Sequence, residues 1–195
     1  MRRDANLKNP SRRRLLVAAG ASLAAAPIMA MSSWGWPRCS RHAGFDERHL
    51  TVSQIGGGET AQIAFRTSRG IADMPAVNEL SWLFRDWRDR DMGLLIDVRL
   101  FDMLAAMQTL LTVVENRPVP FLLHSGYRTP ERNRTIEGAA IHSQHIVGRA
   151  ADISAPGVDH AQIVKVGELA GAHGLGRYPD FTHIDVGPRG RRWSA

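Results

Sequence analysis

The sequence predicts an α+β fold in which strands and helices pack around one hydrophobic core. Apolar residues recur at helical spacing in some segments and form short strand-like runs in others, and the two kinds of segment do not alternate regularly. Regular alternation would instead favour a doubly wound parallel sheet. The roughly 165 residues that follow the N-terminal segment are enough for one core. We therefore expect a single domain over residues 46–195.

The domain is predicted to begin with a β-hairpin. Residues 50–52 and 61–65 have strand-like composition and flank three consecutive glycines at positions 56–58. Such a glycine-rich turn between two strand-like runs is typical of two antiparallel neighbouring strands.

Two amphipathic helices are predicted next. Leu80 and Leu83 belong to a set of apolar residues at helical spacing, which predicts a helix over residues 76–90. The same spacing predicts a second helix over residues 97–115, with Asp97 as its N-cap.

The central part of the chain predicts a buried strand followed by further helices. Residues 119–124 form an apolar run bounded by proline and glycine, which indicates a buried strand. Thr129 and Pro130 are typical of a helix start, with the threonine as cap. A longer helix is predicted over residues 159–173, ended by Gly174.

The first thirty residues have the pattern of a secretory signal. A basic segment precedes a weakly apolar run over residues 15–30 that ends in the small residue Ala30. The sequence S-R-R-R-L-L at residues 11–16 fits a twin-arginine signal, which predicts export of a folded protein to the periplasm. The run is short for a membrane span, although an uncleaved N-terminal anchor is the alternative. Residues 31–45 are predicted to be a linker.

The charge of the chain argues against nucleic acid as a partner. The formal net charge is +6, but residues 1–30 hold six basic side chains and one acidic one. The remaining residues hold nineteen basic and eighteen acidic side chains. A nearly neutral mature chain lacks the basic surface that nucleic-acid binding requires.

A single cysteine limits the chemistry available to the chain. Cys39 excludes an intrachain disulfide and a zinc site built from cysteines. The residues that precede it, Trp36-Pro37-Arg38, do not form a lipobox.

Three residues form a candidate metal site. Catalytic zinc is commonly held by three histidine or carboxylate ligands that leave one position open, and His145, Asp152 and His183 could supply such a set. Gly148 would allow a tight turn between the first two ligands, residues 150–153 are strand-like, and Ser143 is expected to hydrogen-bond within the loop. His142 is an alternative ligand, and two surface loops without metal are the alternative on spacing alone.

Residues 183–186 alternate polar and apolar side chains as a half-buried strand does. This alternation places His183 and Asp185 on the same face.

These motifs together carry a family resemblance. Residues 143–152 match S-x-H-x-x-G-x-A-x-D at every fixed position, and H-x-D follows at residues 183–185. With S-G-Y-R-T-P at residues 125–130 and Trp193 near the end, the chain resembles the YcbK-like (MepK-like) murein endopeptidase branch of the zinc D-alanyl-D-alanine peptidase superfamily. The resemblance implies a hedgehog-like fold, with helices packed on a compact antiparallel sheet. It also implies one Zn²⁺ ion and hydrolysis of peptide bonds in peptidoglycan.

The resemblance also implies roles for residues around the metal. The arginine that matches Arg128 binds the substrate or the transition state, as a fixed guanidinium can do for an oxyanion or a carboxylate. Two carboxylates remain candidates for the general base. The wider superfamily has an acid three residues before the last histidine, which favours Asp180, whereas Asp185 is better suited to orient His183.

Two other functions remain open from the sequence. The chain could be a D,D-carboxypeptidase that trims stem peptides, or a non-catalytic module that binds zinc or the cell wall. In each case the expected partners are peptidoglycan peptides. No integral membrane domain is expected after signal removal, and the sequence indicates no particular oligomeric state.

Overall fold

The computed structural model describes residues 47–56, 58–188 and 190–194. The predicted signal over residues 1–30, the predicted linker over residues 31–45 and Cys39 lie outside this range. Among the described residues, no helix combines the length and the apolar character needed to cross a membrane.

The described residues form one seven-stranded sheet, which confirms the α+β class. The strand order is β2-β1-β3-β4-β6-β5-β7. The strands are β1 Arg48–Gln54, β2 Thr60–Arg66, β3 Phe121–Ser125, β4 Ala150–Ser154, β5 Gly174–Arg177, β6 Thr182–Asp185 and β7 Arg191–Ser194.

The sheet is mixed, so the expectation of an antiparallel sheet is wrong at two pairings. β3 runs parallel to β1, and β7 runs parallel to β5. Two helices connect β2 to β3. This connection brings β3 to the edge of β1 that β2 does not occupy, and β3 runs in the same direction as β1. After β6 the chain passes the end of β5 and pairs with its outer edge. Parallel neighbours need such crossovers, whereas the hairpins β1–β2 and β5–β6 do not.

Four α-helices lie within the described residues. They are α1 Met74–Leu83, α2 Val98–Glu115, α3 Pro130–Thr135 and α4 His160–Leu169. Helix α2 confirms the predicted bounds, and the Asp97 side chain accepts a hydrogen bond from the Arg99 backbone N–H at 3.1 Å. The Thr129 cap and Pro130 at the start of α3 are also confirmed.

Two predicted helix ends are wrong. Helix α1 ends at Leu83 rather than residue 90, because the following residues form turns in which Arg90 and Asp91 have positive φ. Helix α4 ends at Leu169, and Gly171, at φ +82°, supplies the left-handed residue that follows it. Gly174 therefore begins β5 and does not end the helix.

The two faces of the sheet have different chemistry. Ala151 and Ile153 on β4 and Ile184 on β6 belong to the hydrophobic core, where α2 and α4 pack against each other and against the sheet. Because side chains alternate along a strand, Asp152 on β4 and His183 on β6 point to the opposite face. Helix packing on one face thus leaves the other available for a polar site.

Candidate metal centre

The register of the sheet places two predicted metal ligands side by side. Asp152 on β4 pairs directly with His183 on β6. The same row of the sheet continues from His183 to Gly176 on β5 and then to Trp193 on β7. Residues opposite each other on neighbouring strands share a face, so this row forms the floor of the site.

The next row on the same face of the sheet carries a pair of opposite charges. Asp185 on β6 pairs with Gly174 on β5, and Gly174 pairs with Arg191 on β7. A Cβ atom at Gly174 would lie 1.9 Å from Asp185 Oδ2. The missing side chain therefore lets Asp185 and Arg191 meet across β5, with Arg191 Nη2 2.9 Å from Asp185 Oδ2.

The third predicted ligand comes from a short 3-10 helix, Gln144–Val147, that precedes β4. As expected, Ser143 acts within this loop, and its Oγ accepts a hydrogen bond from the His145 backbone N–H at 3.3 Å. Gly148 has φ +66° and turns the chain into β4, which confirms the predicted tight turn. His145 therefore approaches Asp152 and His183 from the segment that leads into β4.

The ligand atoms of these three residues, here called the metal group, converge on one point. His145 Nε2 lies 3.1 Å from Asp152 Oδ1 and 3.1 Å from His183 Nδ1, and the latter two atoms are 2.9 Å apart. A tetrahedral zinc ion with bonds of about 2.0–2.1 Å separates its ligand atoms by about 3.3 Å. The triangle is close to that size, and its two nitrogens and one carboxylate oxygen are zinc donors, so the residues fit the ion.

Both histidines are held in the tautomer that metal binding requires. His145 Nδ1 lies 2.6 Å from the Gly126 carbonyl oxygen, and His183 Nε2 lies 3.3 Å from Asp185 Oδ2. A carbonyl and a carboxylate only accept, so these two ring nitrogens carry the hydrogens. In the neutral rings that bind a metal, His145 Nε2 and His183 Nδ1 therefore carry the lone pairs, and both nitrogens lie next to Asp152 Oδ1.

The electrostatics of the group favour a cation. Burial opposes ionisation of Asp152, but the charges and hydrogen bonds of His145 and His183 outweigh it and hold the pKa of Asp152 below its ordinary range. Burial lowers the pKa of His183, but hydrogen bonds to Asp152 and Asp185 raise it by a larger amount, so the net shift is upward. The two carboxylates that favour a proton on His183 also favour a metal ion between the ligands.

Arg128 lies beside the metal group, just beyond the end of β3. Its Nη2 is 3.5 Å from Asp152 Oδ2, and its Nη1 donates to Asn133 Oδ1 at 3.2 Å. Its Nε is buried and has no hydrogen-bond partner within the described residues. Burial lowers the pKa of Arg128 and Asp152 opposes that shift, yet an arginine stays charged at neutral pH. The guanidinium is thus fixed with unused hydrogen-bonding capacity.

Asn133 was not anticipated from the sequence. It lies in α3, where neighbouring charged residues suggest an exposed helix, but it is only 4% exposed. Its side chain accepts from Arg128 and donates from Nδ2 to the Ala140 carbonyl at 2.9 Å. Asn133 therefore ties Arg128 to the loop before His145.

The metal group and Arg128 open into a cavity of about 570 Å³. Its second wall is aromatic and was not predicted as a unit. The rings of Tyr178 and Phe181 stack with their centroids 4.6 Å apart, and Trp193 Nε1 donates to the Tyr178 hydroxyl at 2.9 Å. The Trp193 ring centroid lies 5.2 Å from that of His183. A rigid apolar surface next to the metal group suits the binding of a peptide.

The two carboxylates predicted as candidate bases occupy different places. Asp185 is fully buried and accepts hydrogen bonds from His183, from the Gly187 backbone N–H and from Arg191. Asp180 is exposed on the turn between β5 and β6. Neither residue lines the cavity, whereas Glu137, which was not singled out in the sequence, does. Glu137 lies in the loop between α3 and His145.

Comparison with known proteins identifies the family. No curated protein matches the chain. Residues 42–193 match the family model described as peptidoglycan L,D-endopeptidase MepK. The match spans more than three quarters of the sequence and includes the metal group, Arg128 and Trp193. The chain therefore belongs to the peptidoglycan L,D-endopeptidase MepK family of peptidases.

Proposed function

We propose that the protein is a zinc-dependent endopeptidase that hydrolyses peptide cross-links of peptidoglycan, with His145, Asp152 and His183 as the zinc ligands. The observation that carries this proposal is the convergence of the three ligand atoms in a cavity beside Arg128. The family description names L,D-endopeptidases, so we propose an L,D bond as the bond cleaved. A hedgehog-like fold, as implied by the motifs, belongs to the same proposal.

The metal group suits zinc better than magnesium or calcium. Two imidazole nitrogens and one carboxylate oxygen are typical of catalytic zinc sites, whereas magnesium and calcium favour all-oxygen sites. A bound zinc ion would supply Lewis acidity toward the scissile carbonyl and would activate a water molecule near neutral pH. The residues of the chain hold the ligands in place through Gly126 and Asp185.

Arg128 is proposed to stabilise the negative charge that develops on the scissile carbonyl oxygen. Its guanidinium is fixed by Asp152 and Asn133 and lines the cavity. A donor held in place before the reaction stabilises the transition state without reorganisation, and such donors commonly contribute about 10²–10³-fold to kcat.

Proton transfer is proposed to depend on a carboxylate at the cavity. Asp185 accepts hydrogen bonds from three donors, so its oxygens are not free to take a proton from water. Its contact with His183 suits it to orient that ring. Asp180 and Glu137 remain as proton carriers. The lining of the cavity favours Glu137, since a general base must come within hydrogen-bond reach of the reacting water or the leaving amine.

The site of action is proposed to be the periplasm, reached by the twin-arginine route. The S-R-R-R-L-L segment supports this route, and the substrate class of the family agrees with the compartment. A D,D-carboxypeptidase that trims stem peptides and a non-catalytic wall-binding module are the alternatives. The family description favours the endopeptidase over both.

The test is digestion of purified peptidoglycan by the mature protein with and without a chelator, followed by mass spectrometry of the products. Cross-linked fragments cut at L,D bonds, with cleavage lost in chelator, are expected. Release of terminal residues alone would favour the carboxypeptidase. Bound zinc without any new product would favour the binding module.

A further inference from the structure

The cavity contains a second guanidinium, to which the mechanism above assigns no contact with the substrate. Arg191 lines the cavity from β7, the edge strand on the side away from Arg128. Strands lie about 4.8 Å apart, so the backbones of β4 and β7, which are separated by β6 and β5, are roughly 14 Å apart. The two arginines thus approach the metal group from opposite sides.

We propose that Arg191 binds a free carboxylate of the substrate next to the scissile bond and so determines specificity for peptides that carry this carboxylate. The inference rests on the proposed peptidase function and assigns a residue to the recognition of its substrate class. The carboxylate belongs to an amino acid of the cross-link, and its capture is separate from the oxyanion role of Arg128.

The position of Arg191 is fixed by its contact with Asp185. Arg191 Nη2 donates to Asp185 Oδ2 at 2.9 Å, and the same oxygen lies 3.3 Å from His183 Nε2. Asp185 is completely buried. The guanidinium of Arg191 therefore reaches across β5, and only the Asp185 side chain separates it from His183 of the metal group. A substrate group adjacent to the bond that is cut would lie within its reach.

The remaining surface of Arg191 is accessible from the cavity. Its side chain is 46% exposed although it pairs with a buried carboxylate. Its Cζ lies 5.9 Å from the centroid of the Trp193 ring, within the range of a cation–π contact. An anchored guanidinium with exposed donors favours a planar carboxylate, which it can bind through two parallel hydrogen bonds.

A purely structural role for Arg191 predicts something different. If Arg191 only neutralised Asp185, its loss would disturb His183 and would lower the cleavage of every substrate by the same factor. If it binds the substrate, its loss lowers cleavage much more for substrates that carry the carboxylate than for substrates that lack it. Pairs of substrates that differ in this one group separate the two roles.

The matched control is the neighbouring arginine. Arg192 is on the same strand and has a similar exposure, but it points to the other face and pairs with Glu168 at 3.2 Å. Arg192→Gln removes the same charge from β7 without touching the cavity.

The experiment measures kcat and KM for two synthetic cross-linked peptides, one with the free carboxylate beside the scissile bond and one with a carboxamide there. The wild-type protein and the variants Arg191→Gln, Arg191→Lys and Arg192→Gln are compared, and bound zinc is measured in each. Wild-type protein and Arg192→Gln are expected to prefer the carboxylate peptide by about tenfold or more in kcat/KM, mainly through KM.

Arg191→Gln is expected to lose this preference, because kcat/KM should fall about tenfold more for the carboxylate peptide than for the carboxamide peptide. Arg191→Lys keeps the positive charge but loses the paired donors of the guanidinium, so it should retain part of the preference. An equal loss on both peptides, or a wild-type protein without preference, would overturn the inference while leaving the peptidase function intact. A wild-type protein that cleaves neither peptide would overturn the proposed function and this inference with it.

Discussion

Asp152 and His183 lie directly opposite each other on the antiparallel strands β4 and β6, and Asp152 Oδ1 is 2.9 Å from His183 Nδ1. The two residues are 31 positions apart in the chain, so the sheet register brings them together. Ligands carried on central strands are held more rigidly than ligands on loops. His145 completes the group from a short 3-10 helix that is capped at both ends.

The first prediction concerns the identity of the metal ligands. Asp152→Ala removes the buried carboxylate that bridges both histidines, so bound zinc and peptide hydrolysis should both fall to near background. His142→Ala is the control, because His142 is exposed and lies three residues before His145. Zinc per chain, measured by mass spectrometry of the metal, checks this. Loss of zinc in His142→Ala with full binding in Asp152→Ala would contradict the assignment.

The second prediction concerns Arg128. Arg128→Met should lower kcat by about 10²–10³-fold with bound zinc unchanged, because it removes a donor to the developing oxyanion. Asn133→Ala should have a smaller effect of the same kind, since Asn133 holds Arg128 by one hydrogen bond. Steady-state kinetics on a defined cross-linked peptide are the measurement. A change confined to KM would instead assign Arg128 to ground-state binding.

The third prediction separates the candidate proton carriers. Glu137→Gln should lower kcat by about 10²-fold or more if Glu137 transfers the proton, whereas Asp180→Asn should change it much less. Both variants should keep their zinc, because neither residue belongs to the metal group. The reverse order of effects would restore Asp180 as the base.

The fourth prediction concerns the close approach at Gly174. Gly174→Ala places a Cβ atom 1.9 Å from Asp185 Oδ2, so Asp185 must move, at an expected loss of about 1–3 kcal/mol in the free energy of unfolding. Zinc affinity should also fall, because Asp185 hydrogen-bonds to His183. Gly190→Ala is the control, since its Cβ would meet its nearest neighbour at an ordinary 3.8 Å. Urea unfolding and zinc titration of both variants provide the measurement, and equal behaviour would contradict the packing argument.

The fifth prediction concerns pH. Hydrogen bonds to Asp152 and Asp185 raise the pKa of His183 above its ordinary value in the metal-free protein, despite the opposing effect of burial. A proton on His183 competes with zinc, so zinc affinity should weaken as the pH falls below that raised pKa, by about tenfold per pH unit for one competing proton. Zinc titrations between neutral and mildly acidic pH test this. An affinity independent of pH over that range would contradict it.

The sequence predicted the parts of the site that local patterns encode. Gly148 and the strand-like residues 150–153 place His145 and Asp152 near each other, and the alternation around His183 places Asp185 on the same face. The strands β5 and β7 escaped prediction because their pattern is not hydrophobic. Gly174 and Gly176 leave room for side chains of other strands, so their role depends on tertiary packing.

The walls of the cavity were harder to predict for a similar reason. Tyr178 and Phe181 lie in a turn, and only the folded chain stacks their rings and bonds Tyr178 to Trp193. Asn133 and Glu137 belong to the segment between Arg128 and His145, whose path depends on contacts with distant residues. No periodicity marks such residues.

The central claim is that one zinc ion held by His145, Asp152 and His183 makes this chain a peptidoglycan endopeptidase. The most direct measurement adds zinc stepwise to the chelator-treated protein and follows cleavage of a purified L,D-cross-linked peptide. We expect activity to rise in proportion to zinc and to level off at one ion per chain, with no recovery in His183→Ala. Full activity without zinc, or recovery in His183→Ala equal to the wild-type protein, would contradict the account.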